Sequence, residues 1–116
     1  MRRLDMQGAI KMNLQDMLNN SAKAVRLLKA VSNERRLLIL CHLLDGELSV
    51  GEMNERLGLS QSALSQHLAL LRRNKLVKTR KEAQTVYYSM NSKEAEAVID
   101  LMHTLYCTNG KTVQAA

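Results

Sequence analysis

Phenylalanine, tryptophan and proline are absent from this sequence of 116 residues, and tyrosine occurs only three times. The hydrophobic residues, which make up 46% of the chain, are therefore mainly leucine, valine, isoleucine, alanine and methionine. A core of such residues favours helices. The length suits a single domain over residues 1–116, because a chain of this size cannot bury two well-packed cores.

Long apolar segments are also missing from the sequence. The longest, residues 37–44, is interrupted by His42 and is far shorter than the roughly 18 apolar residues that a membrane-spanning helix needs. Residues 1–12 carry positive charge but lack the apolar core of a secretory signal. We therefore expect a cytoplasmic protein with no membrane partner, in which Cys41 and Cys107 are reduced at rest.

The first half of the sequence predicts two helices. Apolar residues recur at steps of three and four over residues 13–31, which is the period of an amphipathic helix. Ser32 or Asn33 can cap a second, short helix, and Asp45 with Gly46 would end it. The apolar positions that share one face of this second helix are Leu37, Leu40, Cys41 and Leu44.

Local capping signals predict a third and a fourth helix close together. Ser49 and Glu52 have the spacing of a capping box, so the third helix should begin at Val50. Gly58 suits the left-handed conformation that follows a helix, and Ser60 can cap the next helix at once. Only about three residues should therefore separate the two helices.

The rest of the sequence predicts a β-hairpin and a last helix. Residues 76–81 and 85–90 have the β-branched and aromatic character of strands around a polar turn at 82–84. Asn91, followed by Glu94, resembles another cap and opens a helix over residues 92–107. Residues 1–12 are then an N-terminal arm, and residues 108–116 a flexible tail.

The predicted fourth helix has two dissimilar faces. One is apolar and carries Ala63, Leu64, His67, Leu68 and Leu71, whereas the other carries Gln61, Ser62, Ser65, Gln66, Arg72 and Arg73. No acidic residue occurs between positions 61 and 81, although solvated helices usually mix both signs of charge. Amides and hydroxyls can pair with base edges in the major groove, and arginine can bind phosphate or guanine. This face predicts a DNA recognition helix.

A run of cations follows the polar face. Six lysines or arginines lie within residues 72–81, and the net charge of the chain is +6. Taken alone, such a run could be merely solvated, but beside an acid-free face it predicts contacts to DNA phosphates. The candidate DNA-binding residues are Ser60, Gln61, Ser62, Ser65, Gln66, Arg72, Arg73, Lys75, Lys78, Arg80 and Lys81.

The segment LSVGEMNERLGLSQSALSQHLALLRRNKLVKTRKEAQTVYYSM closely resembles the helix-turn-helix and wing of the ArsR family of bacterial regulators. The flanking segments NSAKAVRLLKAVSNERRLLILCHL and KEAQTVYYSMNSKEAEAVIDLMHTLYC resemble its hemolysin-regulator branch. The resemblance implies an α+β, mainly helical winged helix-turn-helix fold of five helices and a hairpin wing. The helix-turn-helix would span 49–73 and the wing 76–90.

The resemblance also implies an assembly and a function. Helices 13–31 and 92–107 would form a homodimer whose recognition helices enter successive major grooves of an inverted-repeat operator. The protein would control transcription of virulence or stress genes, and similarity to the branch suggests that it does so by displacing a silencer. Cys41 and Cys107 resemble the pair that redox- and sulfur-sensing family members link in response to an oxidant or sulfane sulfur.

Other chemistry has weaker support in the sequence. Family members that sense metals use cysteines at the start of the third helix, where residues 47–51 contain none, and Asp100 with His103 is more typical of a surface pair. His67 should be a hydrogen-bonded structural residue. Three scattered histidines and no phosphate-binding loop argue against an enzyme, so we expect no catalytic residue, metal or cofactor. The alternatives are a metal-responsive repressor of the same fold and a non-catalytic interaction module.

Overall fold

The computed structural model describes residues 13–107, which contain five helices and three strands. In chain order these are α1 (Leu14–Val31), α2 (Glu34–Leu43), β1 (Leu48–Ser49), α3 (Val50–Leu57), α4 (Gln61–Arg73), β2 (Val77–Glu82), β3 (Thr85–Met90) and α5 (Lys93–Cys107). The arrangement confirms the predicted winged helix-turn-helix. The predicted arm and tail lie outside the described residues.

Side-chain caps determine where most of the helices begin. The Asn13 side chain accepts a hydrogen bond from the Asp16 amide at 3.1 Å. Asn33, the second of the two candidates for α2, accepts one from the Arg36 amide at 3.0 Å. Ser49 and Glu52 form the predicted capping box. These caps satisfy backbone N–H groups that have no partner within the helix.

The cap of α5 differs from the prediction. The Ser92 hydroxyl accepts a hydrogen bond from the Ala95 amide at 3.0 Å, so Ser92 caps the helix and the assignment to Asn91 is wrong by one residue. The Asn91 side chain instead donates to the Lys75 carbonyl oxygen at 3.5 Å. Both residue types are suited to caps, so the sequence alone does not separate them.

The sheet contains one strand that the sequence does not predict. β2 and β3 form the expected hairpin, from Val77 opposite Met90 to Glu82 opposite Thr85. Glu82 therefore belongs to the strand, and the turn is shorter than predicted. β1 pairs with the other edge of β3, which gives the order β1-β3-β2. A strand of two residues is too short to show an alternating pattern, so periodicity does not reveal it.

The core is aliphatic, as the composition predicted. The largest fully buried side chains are Ile39, Leu40, Met53, Leu64, Leu68, Leu71, Val77 and Ile99. The predicted face of α2 is only partly correct, because Ile39 and Leu43 are buried whereas Cys41 is half-buried. α2 contacts α1, α3, α4 and α5. Its buried surface is therefore wider than the single apolar face that the sequence predicted. None of the helices within residues 13–107 is long and apolar enough to cross a bilayer.

Candidate nucleic-acid interface

Helix α4 is anchored by its leucine face. Leu64, Leu68 and Leu71 are at most 2% exposed, and burial of such side chains fixes the rotation of the helix about its axis. The helix is held behind α3 by a turn in which Gly58 adopts a φ of 64°. The Ser60 hydroxyl then accepts a hydrogen bond from the Ala63 amide at 3.1 Å. The polar face of α4 is therefore directed outward.

The predicted DNA-binding residues all lie at the surface. Those of α4 and its cap are Ser60, Gln61, Ser62, Ser65, Gln66, Arg72 and Arg73, and all are exposed. Lys75, Lys78, Arg80 and Lys81 are exposed as well. Lys75 lies in the turn after α4, with a φ of 63°, and the other three lie on β2. The structure thus brings the amide and hydroxyl face and the cations to the helix and wing that together can follow a DNA groove.

His67 lies at the border of the two α4 faces and is half-buried. Burial lowers its pKa, and the positive charges of Arg36 and Arg35 lower it further. The neutral imidazole is therefore favoured. Among the hydrogen bonds of residues 13–107, none involves the His67 ring, so the expectation of a hydrogen-bonded histidine is wrong there.

Arg80 forms a network that the sequence does not predict. Its Nε and Nη2 donate to the two carboxylate oxygens of Glu47 at 2.8 and 2.9 Å, and its Nη1 donates to Glu82 at 2.7 Å. The guanidinium also lies 4.4 Å from the centre of the Tyr87 ring. The hydrogen bond from Arg80 lowers the pKa of Glu47. Glu47 and Arg80 are 33 positions apart, so no local pattern relates them.

The two cysteines belong to neighbouring helices. Cys41 is half-buried on α2, in a groove that it shares with Asp45, Asp100 and His103, and α2 packs on α5. Cys107, at the end of α5, is exposed. Burial raises the pKa of Cys41, and the charge of Cys107 raises it further. Within residues 13–107, no three histidine, cysteine or carboxylate side chains are grouped as metal ligands would be.

Two helices present apolar side chains to solvent. The exposed fractions on α1 are 61% for Leu14, 51% for Met17, 66% for Leu18 and 55% for Leu28, and on α5 they are 52% for Leu101, 49% for Leu105 and 75% for Tyr106. Monomeric proteins seldom expose apolar side chains in such continuous groups. These faces are therefore candidates for a protein interface.

Known proteins show the same architecture. The family of bacterial regulatory proteins described as arsR matches residues 33–79. The transcriptional activator HlyU of Vibrio cholerae is 71% identical over 96 residues, which cover 83% of this chain and 89% of that protein. The structure of reduced HlyU from the same organism matches with a TM-score of 0.77 and 70% identity, over 80% of this chain and 98% of that one.

A more distant structure extends the comparison. The homodimeric winged helix-turn-helix DNA-binding domain of a possible ArsR-family regulator from Mycobacterium bovis matches with a TM-score of 0.67 and 27% identity, over 86% of this chain and 89% of that one. Sequence and fold both agree with these relatives. The chain therefore belongs to the arsR family of bacterial regulatory proteins, and it is a DNA-binding transcriptional regulator of the HlyU type.

Proposed function

We propose that the protein controls transcription as a symmetric homodimer that reads an inverted repeat with α4 and holds the flanking backbone with its wing. The observation that carries this proposal is the exposed, acid-free face of α4 above a fully buried leucine face. A recognition helix has to present groups that pair with base edges while its orientation is fixed by the core. α4 meets both conditions.

Base and phosphate contacts are divided along this surface. Gln61, Ser62, Ser65 and Gln66 near the start of α4 supply the base contacts, because amides and hydroxyls can donate to and accept from base edges. Arg72 and Arg73 at its end, with the lysines that follow, supply contacts to phosphates and account for the affinity that is independent of sequence. Ser60 serves mainly as the helix cap.

The homodimer forms through the exposed apolar faces of α1 and α5. A second copy would cover leucines such as Leu18 and Leu101, which are 66% and 52% exposed in the single chain. The homodimeric structure of the Mycobacterium bovis domain supports this assembly. A two-fold axis between the copies would present two α4 helices to successive major grooves.

A thiol switch between Cys41 and Cys107 controls DNA binding in this proposal. A peroxide would oxidise one thiol to a sulfenic acid with release of water, and the second thiol would displace another water to close a disulfide. A sulfane-sulfur donor would instead transfer two or more sulfur atoms to one thiol, and the second thiol would attack that chain and expel hydrosulfide, which leaves one or more sulfur atoms between the two cysteines. The packing of α2, which carries Cys41, on α5, which ends at Cys107, supports this proposal. A link would join α5, at the proposed interface, to α2 in the core.

The proposed biological role follows the hemolysin-regulator branch. HlyU of Vibrio cholerae is described as a transcriptional activator, and we propose that this protein likewise raises expression of virulence or stress genes in the cytoplasm by displacing a silencer from promoter DNA. Displacement needs only tight binding to the promoter, whereas contact with polymerase would need a further surface.

Footprinting on genomic DNA of the source organism tests the core of this proposal. A protected inverted repeat, with half-sites about one helical turn apart and upstream of a regulated gene, is expected. Protection of a single half-site by a monomer would contradict the symmetric dimer. A transcription assay with and without a bound silencer would then separate displacement from direct activation.

A further inference from the structure

The guanidinium of Arg80 is largely occupied within the protein. Arginine has five N–H donors in a rigid fork, and three of its nitrogen atoms each donate to a carboxylate of Glu47 or Glu82. One side of the planar group lies against the Tyr87 ring, 4.4 Å from its centre. The two hydrogen bonds to Glu47 form the bidentate arrangement that fixes direction as well as distance.

Carboxylates occupy the positions around Arg80 that a phosphate would need. Glu47 and Glu82 together more than neutralise the charge of Arg80. The nearby Lys78, which helps the Arg80 hydrogen bond to lower the pKa of Glu47, offsets the excess. An approaching DNA backbone would meet Glu47, 34% exposed, and Glu82, 68% exposed, beside the arginine. Lys81 differs, because within residues 13–107 it has no ion-pair partner. Lys81 is therefore suited to bind a phosphate, whereas Arg80 is suited to hold parts of the protein together.

The network connects the two DNA-binding elements. Arg80 on β2 is directly opposite Tyr87 on the central strand β3, and Ser49 on β1 is opposite Tyr87 on its other side. Glu47 lies two residues before Ser49, which caps α3. The side chain of Arg80 thus reaches over the central strand to the segment that leads into the helix-turn-helix.

We propose that Glu47 is a positioning residue for DNA binding: it holds Arg80 across Tyr87 and so fixes the wing relative to α3 and α4. Arg80 is then an internal strut of the wing, and the phosphate contacts are left to cations such as Lys81. This inference rests on the proposed function, in which the wing meets the DNA backbone. It replaces the role in phosphate binding that the sequence alone suggested for Arg80.

Exposed ion pairs usually contribute little, but bidentate geometry and networks are the recognised exceptions. The expected effect is correspondingly moderate. Loss of the strut should reduce the preference for a specific site about two- to fivefold, since the wing has to be ordered in one position to fit that site, whereas binding to random DNA requires no single position. The fold should survive, because the core contains none of the four residues of the network.

The first test uses the salt dependence of binding to a labelled 30-base-pair duplex of random sequence. Arg80→Gln should keep the parental slope of log affinity against log salt, whereas Lys81→Gln should flatten it by about 0.9 for each phosphate that is no longer neutralised. A flatter slope for Arg80→Gln would overturn the inference but leave the proposed function intact. Parental slopes for both Lys78→Gln and Lys81→Gln would contradict binding of the wing to the backbone, on which both proposals depend.

The second test measures the ratio of affinities for the random duplex and for a duplex selected from a random pool by the parent protein. Glu47→Ala and Arg80→Gln should each lower this preference, and the double variant should lower it no further. Arg80→Lys should behave like Arg80→Gln, because lysine keeps the charge but not the fork.

Glu55→Ala is the matched control for the second test. Glu55 is an exposed acid on α3 and has no ion pair within the described range, so its removal changes the overall charge equally. The preference of this variant should match that of the parent. Equal behaviour of Glu47→Ala and Glu55→Ala, or additive effects in the double variant, would overturn the positioning role.

Discussion

Arg36 donates its Nε–H to the carbonyl oxygen of Ala30 at 2.6 Å, and its Nη2 donates to the Lys29 carbonyl oxygen at 3.2 Å. The side chain thus gives the Ala30 carbonyl, at the end of α1, a hydrogen-bond donor. It adds a second donor to the Lys29 carbonyl, which also accepts from the Ser32 amide. Because α1 belongs to the proposed dimer interface and α2 to the core, these hydrogen bonds also fix the angle between them.

Substitution of Arg36 should therefore weaken both the fold and the dimer. Arg36→Ala is expected to lower the free energy of unfolding by about 1.5–3 kcal/mol, the usual contribution of a hydrogen bond that involves a charged group. Chemical denaturation measures the change. Arg35→Ala is the control, because Arg35 is exposed and makes no side-chain hydrogen bond within residues 13–107. Equal stability of the two variants would show that the hydrogen bonds from Arg36 to the end of α1 contribute nothing to stability.

Base recognition by α4 can be separated from phosphate binding. Gln61→Ala and Ser65→Ala should each weaken binding to a preferred site by about 1–3 kcal/mol and relax the base preference. Arg73→Ala should instead weaken binding to every sequence and flatten its salt dependence. Binding to duplexes that differ at single positions provides the measurement. If both the Gln61 and Ser65 variants kept the parental base preference, α4 would not be the recognition helix.

The dimer should be stable at micromolar concentration and should depend on the exposed leucines of α1. Leu18→Glu is expected to produce a monomer, because the second copy would have to bury an unpaired carboxylate. Sedimentation velocity distinguishes the two states. Leu38→Glu on α2 is the control, since Leu38 is 37% exposed but lies outside α1 and α5. A parent protein that sediments as a monomer would contradict the assembly.

Oxidation should change operator affinity only when both thiols are present. Peroxide treatment of the parent is expected to link Cys41 to Cys107 and to reduce binding, whereas Cys41→Ser and Cys107→Ser should keep their affinity. Mass spectrometry of linked peptides, with reduction by dithiothreitol as the reverse step, supplies the measurement. Unchanged affinity in a fully linked protein would eliminate the switch.

The same switch should depend on pH. Burial raises the pKa of Cys41 from its ordinary value of 9.0, so the thiol form dominates at neutral pH and the reactive thiolate becomes common only at higher pH. Reaction of Cys41 with a thiol reagent in the Cys107→Ser variant should therefore accelerate as the pH rises from 7 to about 9. A rate that is already maximal at pH 7 would contradict a raised pKa.

The sequence by itself determined the elements that depend on neighbouring residues. Ser49 and Ser60 mark the starts of α3 and α4 because each cap binds an amide only three positions away. Gly58 marks the end of α3 because its left-handed conformation suits glycine. The leucine face of α4 follows from helical periodicity alone, and its polar face could therefore be named in advance as the candidate site.

The tertiary structure decided what depends on distant residues. β1 exists because β3 offers it a partner, and Ile39 and Leu43 are buried because α2 is surrounded by four other helices. Arg80 belonged to a run of cations in the sequence, but in the fold it binds Glu47 across Tyr87. Local hydrogen bonds and periodicity are encoded over a few residues, whereas strand pairing, burial and this ion pair arise only when packing brings separate segments together.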